Sequence, residues 1–119
     1  MEFWGYKRKD GRAGIRNHVL ILPACACGSE SSRIVASQVR GAVSIVFNTG
    51  CSDVAANTAM SQKVLTGFAC NPNVYGVVII GLGCETVPHR KLREKIEAMT
   101  SKPVVSFGIQ EEGGTLKTI

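Results

Sequence analysis

Four short apolar runs recur at intervals of about 30 residues, the length of one strand–helix unit, at 18–22, 42–47, 74–80 and 104–107. Each is rich in β-branched residues and bounded by Gly, Pro, Asn or Ser. None shows the polar alternation of a strand with one wet face, so these are expected to be strands buried on both sides, as in a parallel sheet. Parallel strands need crossover connections, and the segments between the runs have helical spacing. Ser29 is placed to cap a helix over 30–39 with Ile34, Val35 and Val39 inward. Asp53 is placed to cap a second, over 53–69, that buries Met60, Val64, Leu65 and Phe68. Asn71-Pro72-Asn73 stops it. Pro88 suits the first turn of a third helix, with Leu92, Ile96 and Met99 as its apolar stripe.

The order is arm, β, α, β, α, β, α, β. It predicts a three-layer α/β domain with a four-stranded, mainly parallel sheet of the Rossmann or flavodoxin-like kind. Spatial strand order two, one, three, four is expected. Residues 1–16 form an N-terminal basic arm or hairpin, and 17–119 form the single α/β domain. The 119 residues, 45% of them apolar, suffice for one core. A Gly-Gly-Thr stretch at 113–115 reads as a loop entering a further helix, so the chain is expected to be a piece of a longer one.

Composition narrows the function classes. No apolar run reaches the roughly 20 residues that cross a bilayer, and the N-terminus has no signal-peptide core. A cytoplasmic location without membrane contact is expected. The net charge of +5 comes largely from Lys7, Arg8, Lys9, Arg12 and Arg16 in the arm. Such an arm suits an anionic small molecule, an acidic neighbouring domain or plain solvation. Nucleic acid is the less favoured partner.

Five cysteines stand at 25, 27, 51, 70 and 84. An odd count without a secretion signal argues for reduced thiols rather than disulfides. In open α/β sheets ligands bind at the carboxyl ends of the strands. Cys27, Cys51 and Cys84 each follow a different strand among flanking glycines. Neighbouring parallel strands lie only about 5 Å apart, so these thiols can converge on one soft metal ion. Alone, each would read as a small buried apolar residue. Cys25, in a C-x-C, is the weaker metal candidate, and Cys70, at a helix end, reads as packing. Glu85, Asp53 and Glu111 are acids on the same edge. Glu85 and Asp53 are the candidate catalytic acids or bases. His18 falls at the opposite edge, and His89 is expected in the first turn of a solvent-facing helix. Gly81-Leu82-Gly83 lacks the third glycine of a dinucleotide fingerprint and follows the wrong strand.

The arm reads Gly5-Tyr-Lys-Arg-Lys-Asp-Gly-Arg-Ala-Gly-Ile-Arg-Asn17. It resembles the G-Y-x-R-x-D-G-R-x-G-x-R-N signature of the altronate dehydratase and galactarate dehydratase family, which includes the sulfolactate sulfo-lyase large subunit. Cys27, Thr49-Gly50-Cys51, Asn71-Pro72-Asn73 and Gly81-Leu82-Gly83-Cys84-Glu85 follow in the family's order. The resemblance covers nearly the whole chain and implies its middle domain. It implies a lyase that removes water from a sugar acid such as altronate or galactarate, or sulfite from sulfolactate. It implies a divalent metal, Fe(II) first, with an iron–sulfur cluster as the alternative. Its implied partners are an anionic sugar acid, a C-terminal catalytic domain, a small β domain or subunit, and further copies of the chain. The isolated piece is then expected to be inactive. Arg12 and Arg16 are the candidate carboxylate clamps, although Arg16 precedes the first strand and belongs near the amino edge. Where the family pattern has Gly-Cys-Gly this chain has Gly50-Cys51-Ser52-Asp53, and Cys25 and Cys70 have no counterpart. A non-catalytic assembly domain and a thiol-based metal or redox module are the competing classes.

Overall fold

The computed structural model describes residues 2–51 and 54–119. A two-stranded antiparallel hairpin, β1 (Tyr6–Lys7) and β2 (Ala13–Gly14), precedes the domain. Then come β3 (His18–Pro23), α1 (Ser29–Gln38), β4 (Ala42–Ser44), α2 (Ala55–Ala69), β5 (Val74–Gly81), α3 (His89–Met99) and β6 (Val104–Gly108). A short turn of helix, α4 (Thr115–Thr118), ends the chain. The sheet order is β4-β3-β5-β6 with every pair parallel, which is the expected two, one, three, four.

The unbroken apolar runs are explained by burial on both faces. Leu20, Leu22, Val77 and Ile79 point to the side covered by α2 and α3, where Leu65, Ala69, Leu92 and Ile96 meet them. Ile21 and Ile80 point to the other side, against Val35 and Ala36 of α1. Each such Leu or Ile, fully buried, contributes about 1.5–3 kcal/mol.

Helix periods match the expectation, but their phase does not always. On α2 the inward row is Thr58, Gln62, Leu65 and Ala69, while Met60, Val64 and Phe68 are exposed. Of the four residues expected inward on this helix Leu65 alone is buried, so the packed face is turned by one residue from the expected stripe. Thr58 donates to the Val54 carbonyl at 3.1 Å, and Gln62 accepts from Lys95 of α3 at 2.7 Å. Val39 and Met99 are also exposed, each just beyond or at the last residue of its helix.

Ser29 is not a cap. It is the first residue of α1, after Gly28 in the cap position. Its hydroxyl donates to the Phe47 carbonyl at 2.9 Å and accepts from the Phe47 N–H at 3.2 Å. That clamp is the physical reason β4 stops at Ser44 instead of running through residue 47. The chain leaves the ladder to reach the start of α1.

The arm has a structural task. Three cations take four successive carbonyls where α2 ends. Lys102 donates to Ala69 and Asn71, at 3.2 and 2.5 Å, Arg12 to Cys70 at 2.7 Å, and Arg8 to Pro72 at 2.7 Å. Positive charge belongs there, at the negative end of a helix dipole. Asn73 Oδ1 accepts from the Ile15 and Arg16 N–H groups, at 2.9 and 3.3 Å. Gly14 is required because any Cβ would run into the Pro72 carbonyl. Arg8→Ala should therefore lower stability by about 1–2 kcal/mol, since it strips a charged hydrogen bond from a part-buried carbonyl. Lys9→Ala should move it by less than about 0.5 kcal/mol. Urea denaturation of the two variants checks the difference.

Candidate functional site

The loops after β3, β4 and β5 are stitched together at the carboxyl edge of the sheet. Ala24 N–H donates to the Ile80 carbonyl at 2.9 Å, extending the β3–β5 contact past Pro23. Ala26 N–H donates to Thr49 at 2.7 Å, joining the first loop to the second. Thr86 N–H donates to Gly50 at 2.7 Å, joining the second to the third. Gly50 sits at φ 98°, and a Cβ there would lie 2.8 Å from the Cys25 Cα. Glycine is what lets the second loop press against the first.

The Sγ atoms of Cys25, Cys27 and Cys51 lie within 4.8 Å of one another, with Cys27 and Cys51 3.9 Å apart. Cys25 is fully buried, Cys51 half-buried and Cys27 exposed. Cys84 is exposed on the third loop, outside this trio but near enough for its charge to act on Cys51. Burial pushes the Cys25 thiol up, partly offset by the N–H groups of Gly28 and Cys27. Burial first, then the hydrogen bond with Cys27 and the neighbouring thiols, push Cys51 up to about 12. Cys25 is the residue that sequence reasoning set aside. A single turn of 3-10 helix, Ala26–Gly28, follows it and folds the C-x-C back so that both sulfurs face Cys51. The C-x-C itself was the available signal.

Three thiols this close fit one ion. At a metal–sulfur distance of about 2.3 Å, tetrahedral ligands stand roughly 3.8 Å apart, close to the Cys27–Cys51 spacing. In a four-iron cluster each cysteine sits on its own iron and points outward, which spreads the sulfurs more widely than this trio.

Glu85 is only 8% exposed. Its Oε2 accepts from the N–H groups of Leu82 (3.2 Å) and Gly83 (2.6 Å), and its Oε1 from His89 N–H (3.0 Å). Burial opposes its ionisation, but the N–H groups of Gly83, of Glu85 itself and of His89 outweigh it and hold the carboxyl below the usual range. A carboxylate saturated with donors shapes the loop that carries Cys84 and starts α3; it is poorly suited to taking a proton. Asp53 lies outside the described residues, and Val54 occupies the cap position of α2.

Arg12 and Arg16 are at the other edge. Arg12 is spent on Asp10 (2.7 Å) and the Cys70 carbonyl, and Arg16 reaches its neighbour Ile15 at 3.2 Å. The six residues of β3 separate them from the thiols by roughly 20 Å at ~3.3 Å per residue, so neither can clamp a substrate held at the trio. Cys70 stands at that far edge too, and His18 begins β3 there. His89 differs from expectation. It opens α3 as foreseen but is buried, 5% exposed, because Gly81 and Gly108 leave room for its ring. Among the described residues no helix is long and apolar enough to cross a membrane.

A parallel sheet of this order with clustered thiols on its carboxyl rim defines a Rossmann-like α/β domain with a thiol site. The chain belongs to the D-galactarate dehydratase/altronate hydrolase family, whose second-domain model matches residues 5–119. It is 36% identical over 111 residues to the (2R)-sulfolactate sulfo-lyase subunit beta of Chromohalobacter salexigens, covering 93% of this chain and 28% of that protein. It is 28% identical over 112 residues to the altronate dehydratase of Bacillus subtilis, covering 86% of this chain and 22% of that one. The Escherichia coli altronate dehydratase is 28% identical over 101 residues, 76% of this chain and 20% of its own length. The chain thus spans well under a third of these relatives. No solved structure matches it.

Proposed function

We propose that this chain is the thiol-bearing domain of a metal-dependent lyase acting on a hydroxylated carboxylate. The Cys25–Cys27–Cys51 trio at the ligand-binding edge carries the reading, together with relatives named as a dehydratase and a sulfo-lyase. Cys25, Cys27 and Cys51 would hold the ion, with Cys84 as the fourth candidate ligand. A bound divalent ion, Fe(II) first, would act as a Lewis acid towards an oxygen of the substrate. The residues of the chain orient it. Glu85 fixes the Cys84 loop, and the Ala26–Thr49 and Thr86–Gly50 bonds keep the three loops in register. The domain alone is inactive in this reading. The clamp for the substrate carboxylate comes from another domain or subunit, since Arg12 and Arg16 face away.

The higher identity to the sulfo-lyase subunit puts sulfolactate first among substrates to try, before altronate and galactarate. The intact lyase, purified without oxygen, should carry one iron per chain. It should release sulfite from sulfolactate or water from a sugar acid. Protein without bound metal that eliminates nothing from any of the three would sink the reading. If it instead forms a Cys27–Cys51 disulfide reversibly, their 3.9 Å spacing belongs to a redox module.

A further inference from the structure

The His89 side chain is only 6% exposed, yet its ring makes no hydrogen bond among the described residues. Its Nδ1 has no partner. Its Nε2 stands 3.6 Å from Glu111 Oε1, too long for a hydrogen bond. Leaving a buried polar group unpaired is unfavourable, and the fold nevertheless keeps room for this one. Gly81 and Gly108 are register partners at the ends of β5 and β6. A Cβ on Gly81 would meet the ring's Cδ2 at 3.0 Å. One on Gly108 would meet Nε2 at 2.8 Å and the Glu111 Cδ at 3.2 Å. The missing side chain at 108 is thus what lets ring and carboxylate face each other.

Glu111 is held ready for a further partner. Its Oε2 accepts from Arg90 of α3 at 3.0 Å, which leaves Oε1 turned to the ring. The turn that carries it is fixed by the backbone. Ile109 N–H donates to the Gly81 carbonyl at 2.8 Å, and Glu112 N–H to the Gly108 carbonyl at 2.9 Å. Ring and carboxylate line an open groove of about 450 Å3 whose charge is negative, with Glu94, Glu97, Glu111 and Glu112 against Arg90 and Arg93. Arg93 is paired with Glu97 and Arg90 with Glu111, so Glu94 and Glu112 supply the excess. Such a groove repels anions and concentrates cations.

We propose that His89 Nε2 and Glu111 Oε1 form a second divalent-cation site, separate from the thiol trio and independent of the lyase reading. At metal–nitrogen and metal–oxygen distances of about 2.1 Å, tetrahedral ligands stand roughly 3.4 Å apart, close to the 3.6 Å seen here. The unfilled gap is therefore the spacing of two ligands on one ion. Imidazole with carboxylate suits a borderline ion such as Zn(II) or Co(II), whereas the trio offers only soft sulfur. The Arg90 bond to Oε2 orients the ligating carboxylate, as outer partners do at metal sites. An ion there would pin the start of α3 to the turn after β6. Its remaining positions lie toward the groove, open to water or to a carboxylate from outside the chain. With two protein ligands the ion is exchangeable, unlike one held by three thiols.

Titration of the metal-free full chain with Co(II), in the absence of oxygen, tests this. Cobalt on thiolates shows an intense sulfur-to-metal absorption in the near ultraviolet, and cobalt on nitrogen and oxygen does not. The wild type should bind one ion with that absorption and a second without it. His89→Gln should abolish the second and leave the first unchanged. Glu111→Gln changes an exposed residue and keeps the fold. It should weaken the second ion at least tenfold, since losing even an outer partner costs about 10–100-fold. Glu94→Gln alters the charge of the groove without touching a ligand and should leave the second ion in place. If His89→Gln does not fold, Glu111→Gln decides alone. A wild type that binds cobalt only through sulfur, or a second ion that survives Glu111→Gln at full affinity, overturns the site. A second ion without any sulfur absorption supports it and counts against the trio instead.

Discussion

Gly50→Ala should destabilise the chain by about 3 kcal/mol and weaken metal binding at the thiol trio. The residue adopts φ 98°, and an added Cβ would stand 2.8 Å from the Cys25 Cα and 2.9 Å from the Ala24 carbonyl. Left-handed backbone costs a non-glycine residue about 1–3 kcal/mol, and overpacking adds about as much. The strain cannot be relieved locally, because Gly50 accepts from Thr86 and its neighbour Thr49 accepts from Ala26. Moving the second loop therefore shifts the first and third with it, and Cys51 leaves Cys25 and Cys27. Chemical denaturation gives the stability change. Iron or zinc titration in the absence of oxygen gives the affinity, which should fall at least 100-fold. A stable, normally binding Gly50→Ala protein would show that the loops are not coupled as described.

Cys25→Ala should have the next largest effect, on metal rather than on fold. Four-ligand structural zinc sites are worth about 10–16 kcal/mol, so one thiolate accounts for roughly 3 kcal/mol and its loss for more than two decades of affinity. Losing a sulfur from this buried site should cost about 1 kcal/mol or less in stability, because the cavity left is small. Cys51→Ala should match it in affinity. Cys84→Ala should lose only about tenfold, since Cys84 stands outside the trio. Affinity should also depend on pH. The raised Cys25 and Cys51 values mean that both thiols are protonated near neutrality, and metal must displace those protons. Binding therefore strengthens as pH rises, by up to about tenfold per unit for each proton released. Titrations at pH 6, 7 and 8 test the sign. A Cys25→Ala protein binding like the parent would return the C-x-C to mere packing.

Much of this was legible beforehand because it is local. Runs such as 74–80 have nowhere to go but a sheet covered on both faces. Once strands alternate with helices, every residue just after a strand falls on the same rim. Cys27, Cys51 and Cys84 could be assigned to that rim, and Arg16 to the opposite one, without coordinates. The arm was recognisable by its spelling, although not its purpose. Arg8 and Arg12 engage carbonyls some sixty residues away, and nothing in a local pattern announces a partner at that separation.

Periodicity tells that α2 is amphipathic, but a rotation of one residue exchanges Leu65 for Val64, and only packing against α3 chooses. Acidic character marked Glu85 for chemistry, whereas the three amides that fold around it made it a fixed part of a loop. Cys25 and His89 looked incidental in the chain. A turn of 3-10 helix brought one sulfur to the other two, and a pair of register-matched glycines opened a berth for the ring. Composition and spacing thus set the architecture and the rim on which reactive groups collect, because both depend on neighbours along the chain. Which of those groups meet, and which are already bound by the backbone, depends on distant loops coming within a few ångströms, a matter of tertiary packing.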